Sequence, residues 1–255
     1  HRRGIRLLLD IVLNHTSDQH PWFQASKSSR DNPYRDWYIW RDGKDGGPPN
    51  DWQSIFGGSA WKWDEATGQY YYHFFFDEQP DLNWRNPAVK QELFSVMRFW
   101  LDRGIDGFRM DAVGSIFEEE DLRNSDTEGS LEAMFINSRK GVFEDWITLG
   151  VKIRHQMNLP EIHPLLREMR ALVDKYPDRI LLGEAEDISL YGNGNDELHS
   201  VFNFPLVDLL EAGHYRRILT ERLPQLPPGA WECNTVGNHD RRRSYTLYAD
   251  GKDDE

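Results

Sequence analysis

Four apolar stretches of this chain each carry a carboxylate at or just beyond their C-terminal end. They are Ile5–Leu13 with Asp10, Ile105–Val113 with Asp111, Arg179–Gly183 followed by Glu184, and Trp231–Val236 leading to Asp240. Near-continuous runs of Val, Ile and Leu, as in the first, suit strands buried on both faces of a parallel sheet. Helical periodicity lies between them. Asn86-Pro87 reads as a cap followed by a first-turn proline, with Val89, Leu93, Val96, Met97 and Trp100 as the apolar stripe and Gly104 as the stop. Leu165, Met169, Leu172 and Tyr176 fall at helical spacing before Pro177, Val201–Phe204 reads as a strand, and Leu206–Arg222 as a helix. Such alternation predicts parallel α/β architecture. A doubly wound sheet would announce itself with a Gly-rich phosphate turn, and the sequence has none. Carboxylates at four separate strand ends favour a TIM barrel, where those ends converge on one face.

From Thr16 to Arg85 the character changes. This segment holds seven of the ten Trp, together with Gly-Gly-Pro-Pro at 46–49 and Gly57-Gly58. Seventy residues exceed an ordinary connection, so the segment reads as an inserted subdomain, with Gln69–Phe76 as an aromatic strand. The stretch from Phe117 to Pro160 is polar and gives no clear pattern.

Composition narrows the function. The net charge is −13, which argues against nucleic acid as a partner, because phosphate binding needs clustered Lys and Arg. No apolar run reaches the 18 residues of a membrane span. The lone Cys233 cannot form an intrachain disulfide. Converging carboxylates suit two chemistries: a hard-metal site, or glycoside hydrolysis with one carboxylate attacking or activating water and another protonating the leaving oxygen. Aromatic residues at 13% of the chain favour sugars, whose pyranose faces lie well on rings. A single strand-end Asp is ordinarily a cap or an ion-pair partner. Four of them, with His15 and His239 beside two, weaken that explanation.

Asp10–His15, Gly107–Asp111, Gly183-Glu184 and Asn238–Asp240 resemble, in order, the four sequence signatures of the α-amylase superfamily, glycoside hydrolase family 13. Asn14–Phe23, Arg30–Tyr38 and Gln79–Trp84 resemble its oligo-1,6-glucosidase/α-glucosidase branch. The resemblance implies a partial TIM (β/α)8 barrel. Residues 1–15 would supply its third strand, residues 16–85 the inserted domain B, and residues 86–255 the fourth to seventh strands. It also implies that this chain is an internal piece of a longer protein, inactive by itself. The family's usual calcium or magnesium loop follows the first strand, so no metal and no cofactor is expected in these residues.

In that resemblance Asp111 is the nucleophile of a retaining double displacement, Glu184 the acid/base, and Asp240 the group that holds sugar hydroxyls and stabilises the transition state. Arg109 lies two residues before Asp111, hence on the same strand face, where it would keep Asp111 ionised. His15 and His239 are implied as donors to sugar hydroxyls, Asp10 as an orienting group, and Phe23 as a pocket-rim residue beside Trp22. Arg243 matches a substrate-binding arginine, although Arg241 and Arg242 adjoin it. Ala112, directly after the nucleophile, leans toward α-1,4 linkages, since bulkier Val accompanies α-1,6 preference. The implied substrate is a short, maltose-like α-glucoside in a cytoplasmic setting. Transglycosylation and a catalytically silent relative are the alternatives, the second disfavoured by the presence of all three carboxylates.

Overall fold

The computed structural model describes residues 1–138, 143–207, 212–240 and 243. Five strands form one parallel sheet in chain order: β1 (Leu8–Val12), β5 (Gly107–Asp111), β6 (Ile180–Gly183), β7 (Ser200–Asn203) and β8 (Cys233–Asn234). Register pairs Asp10 with Arg109, Val12 with Asp111 and Met110 with Gly183. Parallel neighbours in chain order are what successive barrel strands produce, and the sheet is part of a TIM barrel.

Two glycines permit this register. A Cβ on Gly107, whose φ is +150°, would meet the Ile180 carbonyl oxygen at 2.1 Å. One on Gly183 would meet Leu198 Cδ1 at 2.5 Å. The glycines of the second and third signatures therefore let β5 approach β6, and let β6 seat against Leu198, directly before the carboxylates they precede.

Helix α2 (Pro87–Asp102) starts where Asn86 Oδ1 accepts the Ala88 N–H at 2.9 Å. Its buried stripe is Val89, Leu93, Met97 and Leu101, a strict four-residue repeat that leaves Trp100 out toward solvent. The expected stripe is corrected there, because the helix meets the sheet along the i, i+4 row. Helix α5 (Ile162–Val173) buries Leu165, Met169 and Leu172 as expected, and Tyr176 instead bonds Asp102 Oδ1 through its hydroxyl at 2.7 Å. The first strand is also less buried than its composition suggests. Ile11 is inside, but Leu8 and Val12 are 38% and 42% exposed, and among the described residues β1 pairs with β5 alone in its sheet.

Within residues 16–85 lies a separate antiparallel sheet, β2 (Trp40–Arg41), β4 (Gln69–Tyr72) and β3 (Trp61–Asp64), in that order, with helix α1 (Pro21–Ser28) beside it. Trp52, Trp61, Tyr72 and Phe74 form a second core, and burial of each large side chain there contributes roughly 1.5–3 kcal/mol. Leu131 of α3 (Leu131–Ser138) and Leu149 of α4 (Phe143–Ile153) join that core. The unpatterned stretch after β5 is thus partly helical, with Leu131 and Leu149 on the core of the inserted sheet and Phe117 and Leu159 on that of the barrel. Among the described residues no helix is long and apolar enough to cross a membrane.

Candidate active site

The ends of β1, β5 and β6 meet around one guanidinium. Arg109 Nη1 lies 2.8 and 3.0 Å from the two oxygens of Asp10 and 2.6 Å from Asp111 Oδ1. Its Nη2 lies 2.5 Å from Glu184 Oε2. The alternation of a strand puts Arg109 and Asp111 on one face, and the parallel register brings Asp10 alongside. Glu184 is tied in by its own N–H, which donates to the Met110 carbonyl at 2.9 Å.

Three carboxylates around one cation leave excess negative charge in a half-buried place. Glu184 absorbs that charge by keeping its proton. Burial, then a hydrogen bond to Asp111, push its pKa up to about 7 against the pull of Arg109. Burial works against the charge on Arg109, but Asp10, Glu184 and Asp111 outweigh it and raise its pKa. Ala112 stands in the left-handed region at φ +44°, turning the chain sharply after Asp111, and its N–H steadies Glu184.

His15 borders this cluster. Burial lowers its pKa, and the Asp111 carboxylate opposes that shift. Its ring sits 5.3 Å from that of Phe75, which in turn contacts Phe56 at 5.8 Å. A cavity of about 370 Å³ opens beside Phe56, Phe75 and Phe76. Phe56, Phe75 and Gln79 are the residues that sequence reasoning passed over. Gln79 stood inside the motif Gln79–Trp84, whereas the two phenylalanines carried no signal beyond being aromatic among many aromatics.

Phe23 is the correction. It is 1% exposed, between Trp40, Tyr38 and Tyr71, and has no face to offer a sugar. Helix α1 turns it inward, while Trp22 rests on Trp37 at 4.8 Å, partly exposed. His239 and Asp240 form a pair at 3.3 Å on an exposed turn beyond β8, the Asp240 side chain being 61% exposed. Arg243 is exposed, and Arg241 and Arg242 lie outside the described residues. Among the described residues no group of three or more His, Cys, Asp or Glu is disposed to hold a metal ion.

The strand ends of this partial parallel barrel gather three carboxylates about one arginine, and one of them, Glu184, has its pKa pushed up to about 7. The family described as "Alpha amylase, catalytic domain" matches residues 1–254, and the chain belongs to it. An oligo-1,6-glucosidase of Parageobacillus thermoglucosidasius is 38% identical, over 98% of this chain and 45% of that protein. A probable alpha-glucosidase of Rhizobium meliloti (strain 1021) is 39% identical over 100% of this chain and 47% of that protein. The crystal structure of an alpha-glucosyl transfer enzyme superposes with a TM-score of 0.83 at 36% identity, covering 97% of this chain and 46% of the other. The chain spans about half the length of the relatives it matches.

Proposed function

We propose that this chain is the central part of a retaining α-glucosidase that releases glucose from the non-reducing end of short α-glucosides. One observation carries the reading: a single guanidinium grips Asp111 and Glu184 together, and Glu184 keeps its proton near pH 7. An inverting enzyme parts its two carboxyl groups by roughly 6.5–9.5 Å to admit a water, whereas a retaining one holds them about 5–5.5 Å apart. Two carboxyls on one arginine and hydrogen-bonded to each other support the closer spacing.

Asp111, its charge held by Arg109, attacks the anomeric carbon and forms a glucosyl-enzyme. Glu184 gives its proton to the leaving oxygen and afterwards takes one from water. Asp240 and His239 complete the sugar subsite with Arg243, and Phe75 and Phe56 wall it beside His15. Asp10 orients Arg109 rather than touching substrate. Ala112 is the basis of the α-1,4 lean, because it takes up less room directly after Asp111 than a Val would. The substrate reading is therefore maltose-like, handled in the cytoplasm after uptake, with no nucleic acid or membrane as partner.

The test is proton NMR of maltose hydrolysis by the full-length protein, following which glucose anomer appears first. Initial α-glucose from the non-reducing unit is expected. Initial β-glucose would mean inversion and remove the nucleophile role from Asp111. Transfer is the second reading, favoured by the likeness to the alpha-glucosyl transfer enzyme. Under it, oligosaccharide products accumulate before free glucose.

A further inference from the structure

The chain leaves β5 through a turn that an alanine does not favour. Ala112, directly after Asp111, stands at φ +44° and ψ +39°, in the left-handed region. Four of the six described non-glycine residues with positive φ are Asn or Asp, whose short polar side chains support that conformation by local hydrogen bonds. A methyl group offers no such bond, so the support for Ala112 must come from its neighbours. Ser115 supplies it. Its backbone N–H donates to the Ala112 carbonyl at 3.0 Å, and its hydroxyl donates to the same oxygen at 2.8 Å. Both lone pairs of that carbonyl are thereby taken. Ser115 is 3% exposed, so little water is at hand to replace the hydroxyl. The single turn Val113–Ser115 is also tied from outside, where the Asn158 N–H donates to the Gly114 carbonyl at 2.7 Å.

The turn bears on Glu184. The β5–β6 ladder ends at the Met110–Gly183 pair, and the Glu184 N–H donates to the Met110 carbonyl. Two residues further along β5 the Ala112 N–H goes to the Glu184 carboxyl, where it favours the ionised form. The charged groups about that carboxyl are Arg109 and Asp111 of β5, with Asp10 of β1 on the same guanidinium and His15 near Asp111. Ser115 carries no charge, and its removal leaves all of these in place.

We propose that Ser115 is a positioning residue: its hydroxyl clasps the Ala112 carbonyl, holds the left-handed turn after Asp111, and so keeps the Ala112 N–H on the Glu184 carboxyl. The acid/base role of Glu184 rests on the glucosidase reading; the clasp does not.

Carbon NMR of the full-length protein with ¹³C-labelled glutamate reads the titration of Glu184 directly, its signal assigned by loss in Glu184→Gln. Ser115→Ala is expected to move the midpoint upward by about 0.5–1 pH unit, because a donor to the ionised carboxylate is lost. It is also expected to lower kcat on maltose about 3–10-fold with KM nearly unchanged. Glycine adopts positive φ at no steric cost, so in an Ala112→Gly protein the turn needs no clasp. Adding Ser115→Ala to Ala112→Gly is therefore expected to leave the midpoint nearly where it stands. An unmoved midpoint in Ser115→Ala alone overturns the proposal. So does a full upward shift when Ser115→Ala is added to Ala112→Gly, a comparison that decides the matter even where the single Ser115 variant does not fold. Failure of the wild-type protein to cleave maltose counts against the glucosidase reading only.

Discussion

Asp10 and Arg109 face each other across the β1–β5 ladder, and one guanidinium nitrogen of Arg109 contacts both Asp10 oxygens, at 2.8 and 3.0 Å. Neither residue reaches this arrangement alone. The parallel register sets their Cα atoms opposite, and the carboxylate then turns the guanidinium toward Asp111 and Glu184. Asp10 is largely exposed, so the pair adds little to stability. Its effect is on aim. Asp10→Ala is expected to reduce kcat/KM by about 10–100-fold while the unfolding midpoint stays nearly constant. Unchanged steady-state kinetics would show that Arg109 finds its place without Asp10.

Under the proposed function, Glu184 sets the alkaline side of the pH profile. Its carboxyl is pushed up to about 7, so the proton it must donate is present below that pH and lost above it. The rate kcat/KM is expected to fall as pH rises through about 7. Glu184→Gln is expected to abolish that limb and to lower kcat on maltose by about 10²–10⁴-fold. A variant that keeps both the limb and the rate would assign the acid to another group.

Glu118 tests the same physics away from the cluster. Burial pushes its pKa up to about 7 against Arg85, which donates to it at 2.8 Å. Its folded value lies above the unfolded value, so the unfolded chain releases the proton first and stability falls as pH climbs from about 4 to about 7. The loss amounts to about 3 kcal/mol at most. Glu118→Gln should lessen the drop in unfolding free energy between pH 4.5 and pH 8, read by urea titration. An identical drop in both proteins would mean that Glu118 ionises normally.

Gly107 and Gly104 separate two glycine effects. Both have positive φ, but a Cβ on Gly104 meets open space, whereas one on Gly107 meets the Ile180 carbonyl oxygen. Gly104→Ala is expected to cost about 1 kcal/mol from its left-handed backbone alone. Gly107→Ala should cost about 2–4 kcal/mol, because β5 and β6 must part. Equal costs by chemical denaturation would dissociate Gly107 from strand pairing.

Phe23→Ala distinguishes a core ring from a pocket ring. Fully buried among aromatics, Phe23 is expected to lose about 3–5 kcal/mol of stability on truncation with little change in KM for maltose. A raised KM at unchanged stability would restore it to the pocket rim.

What could be read from the chain was whatever rests on local pattern. The apolar runs around Asp10, Asp111 and Glu184 marked strands and the carboxylates beside their ends, since side-chain alternation and burial are properties of a few consecutive residues. Asn86-Pro87 and Gly104 bounded a helix for the same reason. Contacts between distant segments were another matter. Phe23 and Phe75 are alike as residues, and only the turn of α1 into the aromatic core and the path of the chain after β4 separate a core ring from one lying on His15. The stretch after β5 hid α3 and α4 because Leu131 and Leu149 are buried against the inserted sheet, a partner that lies about 60 residues earlier. The surroundings of His15 are likewise tertiary: Gln79, whose amide lies 2.8 Å from its ring, and Phe76, which holds that amide, come from 61 residues or more along the chain. Sequence by itself determined which residue types stood at the strand ends. The register of the parallel sheet and the seating of the inserted segment decided which of them touch, because hydrogen-bond direction and burial belong to the assembled neighbourhood.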